Sequence, residues 1–193
     1  MTISLQRRYI LLFITTFLIT VGKAQVNIDS LIKVSQTTQT DSVKAKALLD
    51  ICWALKASEP KQAIDYGEKA LDLSRSNNFS NYEALALKNI ATVHLFQGNY
   101  EKAENYYLAA IKIFDKINER IGVSSCYNNI GLLYEWKGEF EIAMEYHERS
   151  LNIDIEINNK DGEASSYNNI GNILQNQGNY KKSIEYYIKS AKK

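Results

Sequence analysis

Three asparagine residues recur along the sequence at a constant interval. They are Asn89, Asn129 and Asn169. A side-chain amide both donates and accepts hydrogen bonds, so a row of amides can pair with both polar groups of an extended peptide backbone. This chemistry is recognition rather than catalysis. The alternative interpretation is that these amides satisfy neighbouring helix ends or face water.

The residue types that most often carry catalysis or bind metals are few and scattered. The two histidines, His94 and His147, and the two cysteines, Cys52 and Cys126, do not have the spacing of a zinc site. The sequence contains no phosphate-binding loop, dinucleotide fingerprint, nucleophile elbow or calcium loop. We therefore predict no enzyme activity, no cofactor and no metal, and we interpret both histidines as structural.

The three asparagines belong to a longer repeated block. Leu87–Tyr106, Tyr127–Tyr146 and Tyr167–Tyr186 follow one another at the same interval and align without a gap. A period of roughly 20–50 residues indicates a repeat architecture. Each block has a glycine near its middle and a small residue five positions later, and these are Gly98 and Ala103, Gly138 and Ala143, and Gly178 and Ser183.

The apolar spacing within the blocks predicts helices and no strands. Apolar or small residues recur at i, i+3, i+4 and i+7, and glycine- or asparagine-containing turns interrupt them. Ser80 and Glu83 have the spacing of a capping box at one helix start. The predicted helices are Ser42–Lys56, Pro60–Asn77, Ser80–Gln97, Tyr100–Asn118, Arg120–Lys137, Phe140–Asn158, Asp161–Gln177 and Tyr180–Lys193.

The first of these helices is out of register with the others. In strict register with the later blocks, Asp50 would fall on a core position. A shift of one residue instead aligns an apolar stripe with the usual helical spacing. The residues of this stripe are Leu48, Ile51, Cys52 and Leu55.

The chain divides into three parts. Residues 1–24 have the character of a secretory signal peptide, because Arg7 and Arg8 precede an apolar run, Tyr9–Val21, that is too short to span a bilayer. The alternative is an uncleaved N-terminal anchor. Residues 25–41 are predicted to form a leading segment with a short helix that caps the stack. The four repeats lie within residues 42–193, at about 42–79, 80–119, 120–159 and 160–193, the last of them incomplete.

The charge balance argues against a nucleic-acid partner. Cleavage near Ala24 would remove Arg7, Arg8 and Lys23 and would turn the net charge of +1 into −2. Nucleic-acid binding requires a basic face. We therefore expect no nucleic acid to bind, and no membrane contact by the mature segment.

The two cysteines are predicted to be buried and free. Cys52 falls in the first repeat and Cys126 in the third. Stacked helices lie about 8–10 Å apart, so the two residues should be roughly 20 Å apart. A disulfide needs Cα atoms within about 7 Å of each other.

The order of residues in each block resembles the tetratricopeptide repeat. Gly131, for example, is followed by Tyr134, Gly138, Phe140 and Ala143 in that family's spacing. The resemblance covers Lys44–Lys193, although the usual repeat is shorter, at about 34 residues, than the forty-residue repeat of this chain. It implies an all-α solenoid, a right-handed superhelix of antiparallel helix pairs. Behind a signal peptide, the repeats are similar to the exported segment of bacterial two-component sensor and regulator proteins.

The same resemblance implies which face binds a partner. In that family the first helices line a concave groove that holds protein or extended peptide. Phe96 and Trp136 would be apolar anchors, because aromatic side chains dominate binding hot spots; the alternative is that they only pack at helix ends. The implied groove residues are Lys88, Asn89, Thr92, Phe96, Asn128, Asn129, Leu132, Trp136, Asn168, Asn169 and Asn172.

We expect an exported protein, periplasmic or secreted, whose repeats bind a protein or peptide as the sensory or interaction front end of a signalling protein. The alternative is a structural scaffold or adaptor for envelope assemblies or self-association. The sequence stops at Lys193, which would leave Ile184, Tyr187 and Ile188 poorly covered. We expect either that the chain is a fragment of a longer, membrane-anchored protein or that this edge meets another copy.

Overall fold

The computed structural model describes residues 27–193, and all regular secondary structure in that range is helical. The predicted signal peptide, residues 1–24, lies outside the described residues. The helices are α1 (27–37), α2 (Asp41–Leu55), α3 (Pro60–Ser76), α4 (Ser80–Phe96), α5 (Tyr100–Lys116), α6 (Arg120–Lys137), α7 (Phe140–Glu156), α8 (Lys160–Asn176) and α9 (Tyr180–Ala191).

From α2 onward, the helices form a stack of pairs. Within each pair the two helices pack together, and the second helix of one pair packs against the first helix of the next. First helices α2, α4, α6 and α8 also touch one another along the stack, whereas the second helices do not touch one another in the described part of the chain. The first helices therefore lie on the inside of a curved solenoid. The predicted all-α solenoid is confirmed.

The turns use two residue types that accept a left-handed backbone. At the end of each first helix from α4 onward, a glycine with a φ of +73° to +80° turns the chain. After the second helices α3, α5 and α7, an asparagine with a φ of +57° or +58° does the same. Glycine adopts this conformation freely, and asparagine tolerates it better than most residues. These residues are Gly98, Gly138 and Gly178, and Asn78, Asn118 and Asn158.

The predicted capping box at Ser80 is wrong. Ser80 is the first helical residue of α4, and Phe79 precedes it without a capping side-chain hydrogen bond. The Phe79 N–H donates to the Ser74 carbonyl at 2.8 Å, so the same residue closes the turn from α3 and begins α4. Phe79 therefore occupies the N-cap position, and Ser80 cannot cap the helix. Glu83 instead forms an ion pair with Arg75 of α3 at 2.9 Å.

The shifted register of α2 is confirmed. All four residues of the predicted apolar stripe are buried. Asp50 lies near the surface and pairs with Lys46 at 2.7 Å. The first repeat is one residue shorter between this stripe and its second helix, because Leu55 precedes Pro60 by five positions, whereas His94 precedes Tyr100 by six.

Small residues on the first helices make room for rings on the second helices. A Cβ added to Gly131 would lie 2.7 Å from Cε1 of His147. One added to Gly171 would lie 2.7 Å from Cε1 of Tyr187. Because real Cβ atoms do not approach other atoms so closely, any larger residue would push the helices apart.

Helix α1 covers the N-terminal edge of the stack. Its side chains Ile28, Leu31 and Ile32 pack against a buried cluster that includes Ile51 and Val93. A solenoid needs such an element, because its first repeat has no preceding neighbour to cover its apolar face.

Both cysteines are buried and free, as predicted. Cys52 lies beside Gly67 of α3, whose Cβ would be 3.1 Å from its sulfur. Burial raises the pKa of the Cys52 and Cys126 thiols to about 12, so neither is a reactive thiolate at neutral pH.

Within residues 27–193, no helix has the length and apolar content needed to cross a bilayer.

Candidate functional site

All eleven predicted groove residues belong to the first helices α4, α6 and α8, which form the inside of the solenoid. Their exposure differs, so they are not equivalent as ligand contacts. Phe96, Trp136 and Asn168 are exposed; Lys88, Asn128, Asn129, Leu132, Asn169 and Asn172 are half-buried; Asn89 and Thr92 are buried.

The asparagine row is not a uniform ladder of free amides. Asn89 is only 8% exposed, and its Nδ2 donates to the Leu49 carbonyl of α2 at 3.3 Å. Asn169 Nδ2 donates to Asn128 Oδ1 of α6 at 2.9 Å. Asn129 makes no side-chain hydrogen bond with any other residue of the described range. Two amides of the row therefore join neighbouring repeats, and one is left for a partner.

His147 belongs to the amide network behind the inner face. Its Nδ1 lies 3.0 Å from Asn128 Oδ1, and an amide oxygen can only accept, so the imidazole hydrogen is on Nδ1. Its Nε2 is buried without a hydrogen-bond partner in the described structure. Burial lowers the pKa of His147 to about 4, which keeps the ring neutral at pH 7. This is a structural histidine.

Thr92 is also engaged inside the protein. Its hydroxyl donates to the Lys88 carbonyl at 2.9 Å and lies 3.0 Å from the Tyr107 hydroxyl. Since Thr92 is 5% exposed, it has little surface to offer a ligand. The Lys88 side chain remains half-buried on the same face.

The strongest candidate contacts are aromatic. Phe96 of α4 and Trp136 of α6 occupy the same position in successive repeats, and their ring centroids lie 5.7 Å apart at an interplanar angle of 78°. This is a favourable edge-to-face contact. The two side chains nevertheless remain 48% and 44% exposed, so each presents a large apolar surface on the inner face.

Trp53 of α2 is a further exposed aromatic side chain, one helical turn before the position of Phe96 and Trp136, and it was not predicted. It is 48% exposed, whereas Val93, its counterpart in strict register, is fully buried. The one-residue shift that aligns the α2 core stripe also aligns Trp53 with Thr92 and Leu132 on the inner face. Lys56 lies over the indole ring, with Nζ 3.9 Å from the centroid. Applying the shift to the exposed positions as well as the core would have found it.

The last repeat changes the character of the inner face from aromatic to amide. At the position of Phe96 and Trp136, α8 carries the exposed Asn176. Asn172 is partly engaged, because its Oδ1 accepts from the Tyr187 hydroxyl at 2.8 Å. Asn168 is exposed and makes no side-chain hydrogen bond with another described residue.

The face also carries ionisable groups, but they do not form a metal centre. Glu135 of α6 is half-buried, and burial raises the pKa of its carboxyl. In residues 27–193, no three histidine, cysteine, aspartate or glutamate side chains lie together in a way that could hold a metal ion.

Comparison with known proteins identifies the repeat. The sequence model of the tetratricopeptide-repeat family matches residues 53–116 and 122–192, well over half of the chain. No curated protein matches the chain as a whole or in part.

Several solved structures share the fold at low sequence identity. BtubC from P. vanneervenii is 20% identical with a TM-score of 0.68, over 87% of this chain and 70% of that one. A Rap protein complexed with competence and sporulation factor is 18% identical with a TM-score of 0.77, over 91% and 51%. Aspartyl phosphate phosphatase F from Bacillus subtilis is 18% identical with a TM-score of 0.76, over 87% and 48%. This chain spans about half the length of the last two.

Proposed function

The chain belongs to the tetratricopeptide-repeat family, and from this premise we propose that its inner face binds an extended segment of a protein or peptide. Repeats of this family act in protein–protein interaction. The observation that carries the proposal is the row of exposed aromatic side chains on successive first helices, Trp53, Phe96 and Trp136. Large aromatic rings on a concave surface are the usual anchors of an interface.

Free amides beside the aromatic row support an extended ligand. Asn129 and Asn168 keep both donor and acceptor groups available, and each can pair with a backbone N–H and C=O. Asn89 and Asn169 hold the repeats together instead, which fixes the spacing of the free groups. We therefore assign the apolar anchoring to α2, α4 and α6, and the backbone pairing to α6 and α8.

One structural relative offers a precedent for such binding. The Rap protein, whose fold this chain shares, was crystallised in a complex with competence and sporulation factor. We propose that this chain likewise acts as the recognition segment of a signalling protein. We further propose that it works outside the cytoplasm, on the basis of the apolar run in residues 9–21. Cell fractionation that finds the protein only in the cytoplasm would remove the exported part of this proposal.

The binding proposal is tested by selecting ligands without bias. A random peptide library is displayed against the purified protein, and the enriched peptides are measured with the variant Trp136→Ala. We expect this variant to lose about 2 kcal/mol of binding free energy, roughly 30-fold in Kd, because it removes a central aromatic anchor.

The matched control is Leu108→Ala. Leu108 lies on the second helix α5 and is 37% exposed, so its truncation also removes exposed apolar surface. It should leave the Kd unchanged. Equal losses in the two variants, or no enriched peptide at all, would contradict binding at the inner face.

A second candidate function is self-association through the edge formed by α9. Ile184 and Ile188 are 57% and 48% exposed there, and Tyr180 is 65% exposed. Exposed apolar surface of this kind often marks an interface. Sedimentation of the wild type and of Ile184→Glu over a range of concentrations tests it. A monomeric wild type at high concentration would exclude this function.

A further inference from the structure

A polar recess opens on the inner face between the third and fourth repeats. Its volume is about 140 Å³, several times the roughly 30 Å³ that a water molecule occupies in the liquid. The rim is formed by Ser125 and Asn128 of α6 and Ser165 of α8. Deeper in the recess lie Ser124, Ser150 and Asp154. The recess is therefore continuous with the inner face proposed to bind the ligand.

The recess carries a negative charge because one repeat position changes from phenylalanine to aspartate. In the second repeat this position is Phe114, a fully buried ring that packs against Gly122. In the third repeat it is Asp154, next to Gly162, which is the equivalent of Gly122. The equivalent recess one repeat earlier, beside Phe114 and Gly122, has a volume of about 300 Å³. The change to aspartate therefore alters the charge of the recess rather than its presence.

Asp154 has hydrogen-bond donors around it but no cation. It is 1% exposed, and its Oδ1 accepts from Asn159 Nδ2 at 2.8 Å. The Ser150 hydroxyl lies 3.4 Å from Oδ2 and 3.0 Å from the Ser124 hydroxyl. No lysine, arginine or histidine nitrogen of residues 27–193 forms an ion pair with it.

The other buried carboxylate of the described chain is treated differently. Glu163 is also 1% exposed, but Lys160 pairs with its Oε1 at 2.6 Å and Lys193 pairs with it as well. Lys160, the first basic residue after Asp154 in the sequence, is therefore already engaged. A buried carboxylate without a counter-charge costs free energy, which a partner cation recovers.

We infer that this recess binds the basic side chain, lysine or arginine, of the segment held on the inner face. The inference rests on the proposed function and adds a charge requirement to it. Asp154 supplies the counter-charge, and the hydroxyls of Ser124, Ser125 and Ser165 supply oxygen acceptors for the remaining N–H groups of an ammonium or guanidinium.

Two variants test the recess, and one serves as control. Asp154→Asn removes the charge and keeps an oxygen that can accept from Asn159. Asp154→Phe copies the second repeat, where Gly122 already accommodates a ring, and replaces the carboxylate with an apolar group. Asp161→Asn removes an exposed carboxylate from the first turn of α8, and so tests whether any negative charge nearby is sufficient.

The measurement uses the random peptide library described above with the wild type and all three variants, after thermal unfolding shows that each variant is folded. We expect wild-type and Asp161→Asn selections to share a lysine or arginine at one fixed position. Replacing that residue with glutamine should weaken binding to the wild type at least tenfold. Against Asp154→Asn and Asp154→Phe, the same replacement should change Kd less than twofold.

The outcomes separate this inference from the proposed function. Peptides that bind the inner face without a fixed basic residue, or whose basic residue matters equally to the Asp154 variants, overturn the inference and leave the proposed function standing. A wild type that enriches no peptide overturns both.

Discussion

At the residue scale, the side chain that joins the third repeat to the fourth is Asn128. Its Oδ1 accepts from His147 Nδ1 at 3.0 Å within its own repeat, and from Asn169 Nδ2 at 2.9 Å in the next. The His147 ring is fixed by packing, because it lies against Gly131. One amide oxygen therefore joins α6 both to α7, the other helix of its own pair, and to α8 of the next repeat.

The protonation of His147 gives a testable pH dependence. Its folded-state pKa is about 4, below the ordinary 6.5, so between these values the unfolded chain binds a proton that the folded chain does not. The free energy of unfolding should fall as the pH drops through this window, by about 1.4 kcal/mol per pH unit. Lowering the pH from 7 to 4.5 should therefore reduce the free energy of unfolding by about 2–3 kcal/mol through His147 alone.

The matched variant is His147→Tyr, which copies the fourth repeat, where Tyr187 lies against Gly171. Unfolding by denaturant is followed by circular dichroism at pH 7 and pH 4.5 in both proteins. Carboxylates and the buried His94 contribute equally to both and cancel. Between pH 7 and pH 4.5, the free energy of unfolding of the variant should fall by about 2–3 kcal/mol less than that of the wild type. Equal losses would show that His147 is protonated in the folded state.

The sequence could predict which residues share the inner face, but not how they are bonded there. Whether an amide such as Asn89 reaches a carbonyl of the previous repeat depends on the rotation between repeats, which no single position encodes. Trp53 was missed for a simpler reason. Its exposure follows from the α2 register shift, and that shift had been applied only to the core stripe.

At the element scale, the helices were predictable because their punctuation repeats. Each predicted helix is present within a few residues of its expected ends. The glycine and asparagine turns carry most of this information, since few residues accept a positive φ. The Ser80 capping box was the exception. The short turn between α3 and α4 is closed by a backbone hydrogen bond, from the Phe79 N–H to the Ser74 carbonyl, and not by a side chain.

The cost of the left-handed turn can be measured without interference from packing. At Gly138, with a φ of +80°, no atom from elsewhere in the described structure, outside the local backbone, lies within 4 Å of where a Cβ would be. Gly138→Ala should therefore destabilise the protein by the backbone term alone, about 1–2 kcal/mol.

The matched control for this turn is Asn118→Gly, at the turn after α5, where φ is +57°. Because glycine accepts this conformation without strain, the variant should unfold within about 0.5 kcal/mol of the wild type. Denaturant midpoints of both variants decide the question. An unchanged midpoint for Gly138→Ala would mean that the turn relaxes to a negative φ.

At the scale of the whole molecule, curvature turns a repeated sequence into a binding surface. The first helices touch along the inside of the stack and the second helices of the described chain do not, so the exposed positions of α2, α4, α6 and α8 converge on one face. The period predicted the stack. Neither the curvature nor the recess at Asp154 could be read from it, because both depend on how residues of different repeats fit together.

Both tryptophans of the chain, Trp53 and Trp136, lie on that inner face. Their indole N–H signals in a ¹⁵N-labelled sample therefore report directly on its occupancy. During titration with a selected peptide, we expect the Trp136 indole signal to shift and to saturate with the peptide's Kd. Indole signals that both stay in place at saturation, while backbone signals of α3, α5, α7 and α9 move, would contradict binding at the inner face.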